Sequence, residues 1–144
     1  MAEDGGRDRR VVLKDVPRWD PEAPFPAVVA DEGLAHLAYY ARTEEDVTVV
    51  VTVWGCVELR FGPPDVKAGR ACEVLDSTWL ADRRAAAAER SIEAVRDLRR
   101  LRHFVFPFPG STCEVLADGY GVHQRPGHTP LKAASDLAQE LRNV

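Results

Sequence analysis

The chain has 144 residues, of which 45% are hydrophobic and 29% are charged, and its formal net charge at neutral pH is −4. A chain of this length buries roughly 70% of its unfolded surface, so one domain can form a core without disulfides or structural metals. The acidic balance argues against a dedicated nucleic-acid binder, which needs a basic excess to neutralise phosphates. No apolar stretch approaches the roughly 20 residues of a membrane span, so we expect no membrane association.

The N-terminal segment and the cysteines indicate the compartment. Residues 1–10, MAEDGGRDRR, are polar and lack the apolar stretch of a secretory signal. We expect them to form a disordered tail ahead of a single domain at residues 11–144. The chain has three widely spaced cysteines, an odd number. Without a signal they indicate reduced thiols in a cytoplasm, and the richness in Ala, Arg, Val and Pro favours a bacterial source.

The first part of the chain predicts an antiparallel meander. Residues 11–16 predict a short strand, and the three prolines within residues 18–26 predict an irregular loop. Strands at residues 27–30 and 34–41 flank a tight turn at residues 31–33. The second of these, LAHLAYYA, mixes helix-favouring and strand-favouring residues, and its flanking polar segments favour a strand.

The run VTVVVTVWGCVELRF, residues 47–61, carries the strongest pattern in the chain. Its odd positions are apolar or glycine throughout, whereas its even positions change from amphipathic to charged. Because successive side chains of a strand point to opposite faces, the odd face belongs to a core and the other leads towards water or a cavity. Gly55 predicts a bulge or bend in the middle of this strand.

The middle of the chain predicts a helix. A short strand at residues 71–75 is followed by Asp76-Ser77-Thr78, which offers an N-cap to an alanine- and arginine-rich stretch that extends to Leu101. Residues 82–84 would allow a break into two helices. The apolar stripe expected to face the sheet consists of Ala88, Ile92, Val95, Leu98 and Leu101.

The last part of the chain predicts a hairpin and a helix. Strands at residues 102–108 and 113–118 are joined through Pro109-Gly110, an order that suits a type II turn. Residues 119–127 predict a polar loop, and Thr129-Pro130 predicts the start of an amphipathic C-terminal helix. The whole pattern predicts an α+β domain, in which a central helix and a C-terminal helix pack on one side of an antiparallel, strongly curved sheet.

The segment RHFVFPFPGSTCE, residues 102–114, resembles an uncharacterised bacterial family in which a Phe-Pro-Phe strand runs into a polar turn and then Ser-Thr, an aromatic residue and Glu. The resemblance covers residues 47–64, 76–79 and 103–114. Members of that family carry His and Asp where this chain has Pro109-Gly110, so a polar role of that turn is absent here. The resemblance implies no known activity.

Three side chains are candidates for acid–base catalysis: His103, Glu58 and Glu114. His103 lies on the strand face opposite the phenylalanines, and an imidazole titrates near neutrality, but a partly exposed structural histidine beside Arg102 is the better explanation of the position. A carboxylate of raised pKa bonded to His103 would favour an enzyme over a binding protein. Ser111 is better explained by turn hydrogen bonds than as a nucleophile, because no G-x-S-x-G motif surrounds it.

Cofactor sites lack support in the sequence. His123 and His128 are five residues apart, which is not the spacing of paired zinc ligands, and no phosphate-binding glycine motif occurs. We therefore expect no metal and no cofactor. The arginines between residues 83 and 102 alternate with acidic residues, which favours a solvated helix face over a docking surface for an acidic partner.

The long strand carries the best candidate for a ligand site, because a plain solvent face rarely includes tryptophan. The expected pocket has an apolar wall, with a carboxylate and a guanidinium that orient the ligand. The alternative is that the charged residues form cross-strand ion pairs while Trp54 packs under the helix. The predicted ligand-binding residues are Trp54, Cys56, Glu58, Arg60, Trp79 and His103.

Three classes of function remain. We favour a binding or accessory protein that holds a small molecule or a protein partner on a curved sheet, without catalysis. The alternatives are a cofactor-independent enzyme of specialised metabolism that uses the acid–base residues, and an immunity-type or regulatory interaction module. A closed, tryptophan-lined cavity would favour the first two, and a large exposed patch would favour the third. Both a monomer and a homodimer are compatible with the sequence.

Overall fold

A computed structural model describes residues 7–23, 26–42, 47–64 and 69–142 as one α+β domain, as predicted. The elements are β1 (Arg9–Val12), β2 (Ala27–Asp31), β3 (Gly33–Tyr40), β4 (Thr48–Cys56), β5 (Glu58–Gly62), β6 (Cys72–Leu75), α1 (Thr78–Ala88), α2 (Ile92–Asp97), β7 (Arg102–Phe108), β8 (Ser111–Ala117), β9 (Gly119–Gln124) and α3 (Pro130–Arg142). None of the described helices has the length and apolar character that crossing a membrane requires.

The strands form two antiparallel sheets where the sequence predicted one. The first sheet has five strands in the order β1-β6-β7-β8-β5, and the second has four in the order β2-β3-β4-β9. Two chain segments pass from one sheet to the other, since β4 continues into β5 through Val57 and β8 continues into β9 through Asp118. Together these two segments make a corner between the sheets.

Gly55 makes this corner possible, as the predicted bend. Its φ of +61° belongs to the left-handed region that residues with a Cβ rarely adopt. A Cβ at this position would also collide with the Asp118 carboxylate on the neighbouring segment. Across the corner, the Asp118 amide donates to the carbonyl of Trp54 at 3.0 Å, so the two chain segments stay paired as they change sheets.

The core lies between the two sheets and contains the predicted odd face of β4. Its central side chains, all less than 2% exposed, are Val49, Val51, Val53, Phe104, Phe106 and Val115. Beyond the corner the odd face is buried only in part, because Leu59 packs against the core whereas Val57 and Phe61 are 59% and 52% exposed. The alternation therefore predicts the buried odd face of β4, although the even face of β4 is buried as well, and it predicts burial less well in β5, an edge strand with one neighbour.

The helices cover two different sheets, and not one side of a single sheet. α3 packs across the four-stranded sheet, where Ala133, Ala134 and Leu137 contact Ala38 and Val50. α1 lies against the five-stranded sheet, where its Leu80 forms a separate apolar cluster that also contains Leu101 and Leu116.

The central helix breaks at a different place from the predicted one. α1 ends at Ala88 and α2 begins at Ile92, because the Ser91 hydroxyl accepts from the amide of Ala94 at 3.0 Å and caps a new helix. The break divides the predicted apolar stripe: Leu98 and Leu101 still pack in the cluster with Leu80 and Leu116, whereas Ala88 and Ile92 are exposed. Ile92, expected to be buried, is 75% exposed.

Three other local predictions also need correction. β9 occupies most of the predicted loop at residues 119–127, because it pairs with β4 from Trp54 to Val49. β1 begins at Arg9, inside the segment expected to be disordered, of which residues 1–6 lie outside the described residues. Gly110 does not have the positive φ of a type II turn, so the hairpin between β7 and β8 uses another turn type.

Candidate functional site

A cleft of about 480 Å³ opens on the outer face of the five-stranded sheet, beside the first turn of α1. Its walls come from all five strands of this sheet, β1, β6, β7, β8 and β5, and from α1. The lining residues that matter here are Asp8, Arg60, Trp79, Asp82, His103 and Glu114.

Strand alternation explains why these polar side chains share one face. In β7, Phe104 and Phe106 point into the core between the sheets, so His103 points to the opposite face. In β5 and β8, Arg60 is the register partner of Glu114. The outer face of three neighbouring strands thus holds an imidazole, a carboxylate and a guanidinium.

Glu114 joins the other two groups through its two oxygens. His103 Nε2 lies 2.8 Å from Oε1, and Arg60 Nε donates to Oε2 at 3.1 Å. The hydrogen bond from His103, supported by the bond and charge of Arg60, lowers the pKa of Glu114 to about 2. Glu114 is therefore ionised at neutral pH, which is the opposite of the raised pKa that a general acid needs.

His103 also bonds to the start of α1. Its Nδ1 lies 2.7 Å from the Ser77 hydroxyl oxygen, which also accepts from the amide of Leu80 at 3.1 Å as the N-cap of α1. The imidazole is only 4% exposed. The sequence allowed a partly exposed histidine, whereas the structure shows a buried one with both ring nitrogens engaged.

Trp79 connects the helix to the same group of residues. The guanidinium carbon of Arg60 lies 3.8 Å from the centroid of the indole. The indole meets the His103 ring edge-on, with 5.1 Å between the two ring centroids. Arg60 is thus fixed by a carboxylate on one side and an aromatic face on the other.

Asp8, the residue directly before β1, closes the cleft. Its carboxylate accepts from the backbone amide of Thr78 at 2.8 Å and from the Thr78 hydroxyl at 2.7 Å. The bond from the Thr78 amide lowers the pKa of Asp8. Asp8 has a φ of 63°, which aspartate tolerates better than most residues. Asp8 lies in the predicted disordered tail, so no sequence signal pointed to it as a cleft residue.

The structure brings together three of the six predicted ligand-binding residues, Arg60, Trp79 and His103. The corner at Gly55 separates Trp54 from them. Trp54 lies on the outer face of the four-stranded sheet, 45% exposed and against Gly119 and Gly121.

The remaining two predicted residues have other partners. Cys56 packs towards the core, and burial raises the pKa of its thiol. Glu58 forms a two-oxygen ion pair with Arg83 of α1, outside the lining of the cleft. Of the three catalytic candidates, His103 and Glu114 are therefore in direct contact, and Glu58 is not part of their group.

Sequence reasoning selected Ser77 only as a helix cap, although it contacts His103. A serine cap and a histidine 26 residues later have no sequence signal that links them. Cys113 is fully buried, and burial raises the pKa of its thiol to about 12, which makes a thiolate nucleophile there unfavourable. Within the described ranges, no three His, Cys, Asp or Glu side chains are grouped so that they could hold a metal ion.

Comparison with family models, with curated proteins and with solved structures finds no match to this chain.

Proposed function

We propose that this chain is a binding protein for a small polar molecule that carries a carboxylate and an ammonium group, such as an amino acid or a short peptide. The proposal rests on one observation, the fixed position of the Arg60 guanidinium in the wall of the cleft. The cleft has the volume of ordinary small-molecule sites, which is roughly 300–1,000 Å³.

Arg60 is arranged to receive an anion. Its Nε is bonded to Glu114 and its plane covers Trp79, while its two terminal nitrogens make no hydrogen bond to another described residue. A guanidinium held in this way has already lost its side-chain freedom, so less entropy is lost when a carboxylate binds. Two parallel N–H···O bonds are the common geometry of such a pair.

The other groups of the cleft favour a ligand of mixed charge. The exposed Asp82 carboxylate lies in the same lining and suits an ammonium group. Val74 and Trp79 add apolar surface, against which a side chain or hydrocarbon portion can pack. Ionised Glu114 is used to hold Arg60 and His103, a role that fits orientation of a ligand better than proton donation to it.

The test is titration calorimetry of the protein with the twenty standard amino acids and with the same amino acids as C-terminal amides. At least one free amino acid should bind, and its amide should bind about tenfold more weakly or worse, because the amide lacks the carboxylate.

The matched variants are Arg60→Ala and Arg83→Ala. Both remove an arginine that pairs with a glutamate beside α1, and only Arg60 lines the cleft. Arg60→Ala should reduce the affinity about tenfold or more, and Arg83→Ala should leave it unchanged. Equal affinities in the two variants, or no binding by any member of the panel, would contradict the proposal.

A further inference from the structure

Ser77, His103 and Glu114 form a continuous chain of hydrogen bonds, with distances of 2.7 Å and 2.8 Å on the two sides of the imidazole. We propose that these three residues catalyse acyl transfer from small esters, with Ser77 as the nucleophile, His103 as the base and Glu114 as the group that orients His103. The proposal goes beyond ligand binding in the larger cleft and does not depend on it.

The protons on Ser77 and His103 are placed correctly for this chemistry. Glu114 is ionised and can only accept, so in the neutral imidazole Nε2 carries the proton and donates it to Glu114. Nδ1 is then an acceptor, and the Ser77 hydroxyl must donate to it. A nucleophile bonded to a base, whose other nitrogen is held by a carboxylate, is the arrangement that activates a serine.

Ser77 can be reached from a second, smaller cleft of about 230 Å³, which Ser77 and His103 both line. The serine residue is only 5% exposed, so the reacting group must enter this cleft. The small volume limits the acyl group to a short chain.

The reaction balances without any further cofactor. Ser77 Oγ bonds to the ester carbonyl carbon while its proton moves to His103 Nδ1, and the C–O bond to the alcohol breaks as His103 returns that proton to the leaving oxygen. Water, the second reactant, then gives a proton to His103 and attacks the acyl-serine. Ser77 Oγ leaves the acyl carbon and takes the proton back, and a carboxylic acid is released.

Ser91 provides a control within the same chain. It caps α2 as Ser77 caps α1, with its hydroxyl accepting from the amide three residues later at 3.0 Å. It is more exposed than Ser77 and has no hydrogen bond to a histidine among the described residues. Exposure alone would make Ser91 the more reactive serine, whereas the proposal requires Ser77 to be more reactive.

The experiment incubates the intact protein with a fluorophosphonate, which phosphonylates activated serines, and locates the added mass by peptide mass spectrometry. The label should be on Ser77 and not on Ser91. Ser77→Asn, which keeps a side-chain acceptor for the cap, should abolish the labelling, and Ser91→Ala should leave it unchanged. Glu114→Gln should slow the labelling about a hundredfold or more, because the orienting carboxylate is lost.

Hydrolysis of p-nitrophenyl acetate gives a second readout with the same variants. The wild-type protein should release p-nitrophenolate faster than Ser77→Asn, provided that circular dichroism shows both to be folded. An unlabelled Ser77, a label shared equally with Ser91, or equal hydrolysis by wild type and Ser77→Asn would each overturn the proposal. These outcomes leave amino acid binding in the larger cleft untouched, so the two proposals fail separately.

Discussion

The guanidinium of Arg60 covers the indole of Trp79, with 3.8 Å between the guanidinium carbon and the ring centroid. Arg60 lies on β5, an edge strand, and Trp79 lies in the first turn of α1. The same arginine donates to Glu114 on the neighbouring strand. One side chain thus joins the edge of the sheet to the helix that forms the opposite wall of the cleft.

This contact should be measurable as a coupling between the two residues. We expect the losses of unfolding free energy in Arg60→Ala and Trp79→Leu, when summed, to differ by about 0.5–1 kcal/mol from the loss in the double variant. Urea denaturation measures all three. Arg125→Ala, which removes an arginine directly after β9 that pairs with Glu140, is the control and should be additive with Trp79→Leu. Additivity of Arg60→Ala with Trp79→Leu would show that the contact contributes nothing.

The pKa of Glu114 predicts a loss of stability in acid. Folding lowers this pKa from the ordinary 4.5 to about 2, mainly through the bond to His103, so the unfolded chain takes up the proton first as the pH falls. The stabilisation is complete at a pH above the pKa of Glu114 in the unfolded chain, and it is lost as the pH falls through the pKa of Glu114 in the folded protein. Urea denaturation between about pH 6 and about pH 2 should show this decline in the wild-type protein.

Glu114→Gln should remove this part of the acid dependence. At neutral pH we expect the variant to be less stable by about 1–3 kcal/mol, because two charge-assisted hydrogen bonds are lost. Glu140→Gln, which changes a carboxylate in a more exposed ion pair with Arg125, should retain the wild-type profile. If the unfolding free energy of Glu114→Gln falls with decreasing pH as steeply as that of the wild type, the acid dependence belongs to other carboxylates.

The sequence predicted the elements whose signals are local. The alternation in β7 places its phenylalanines in the core and His103 on the other face, and the observed strand has the predicted bounds. Ser77 caps the start of α1, and Thr129-Pro130 marks the start of α3 with a capping hydroxyl followed by proline as the first helical residue. These patterns need only a few neighbouring residues, so no knowledge of the tertiary structure is required.

The parts that were missed depend on contacts between distant segments. β9 is rich in glycine and carries a histidine, and it becomes a strand because β4 offers it an unpaired edge. Asp8 belongs to the cleft only because β1 pairs with β6 and brings it to Thr78, 70 residues away. The alternation of side chains along a strand predicted that Trp54 and Arg60 share one face, whereas the corner at Gly55 puts them on different sheets. Alternation alone does not specify where a strand bends.

The contact between Trp54 and Gly119 yields the last prediction. A Cβ added to Gly119 would lie 2.8 Å from Cζ2 of the indole, which is closer than real contacts allow. Gly119 does not have a positive φ, so the backbone itself accepts alanine. We therefore expect Gly119→Ala to cost about 1–3 kcal/mol in the free energy of unfolding, because the indole must move off the sheet.

Removal of the indole should reverse that effect. In a Trp54→Ala background, Gly119→Ala should be neutral or stabilising by up to about 1 kcal/mol, because alanine loses less backbone entropy than glycine in a strand. Gly62→Ala is the matched control in a strand, since a Cβ there meets nothing within 4 Å, and it should behave alike in both backgrounds. Urea denaturation of the wild type, Trp54→Ala, and each glycine variant in both backgrounds measures each difference. An equal cost of Gly119→Ala with and without Trp54 would mean that the backbone of β9, and not the indole, requires glycine at this position.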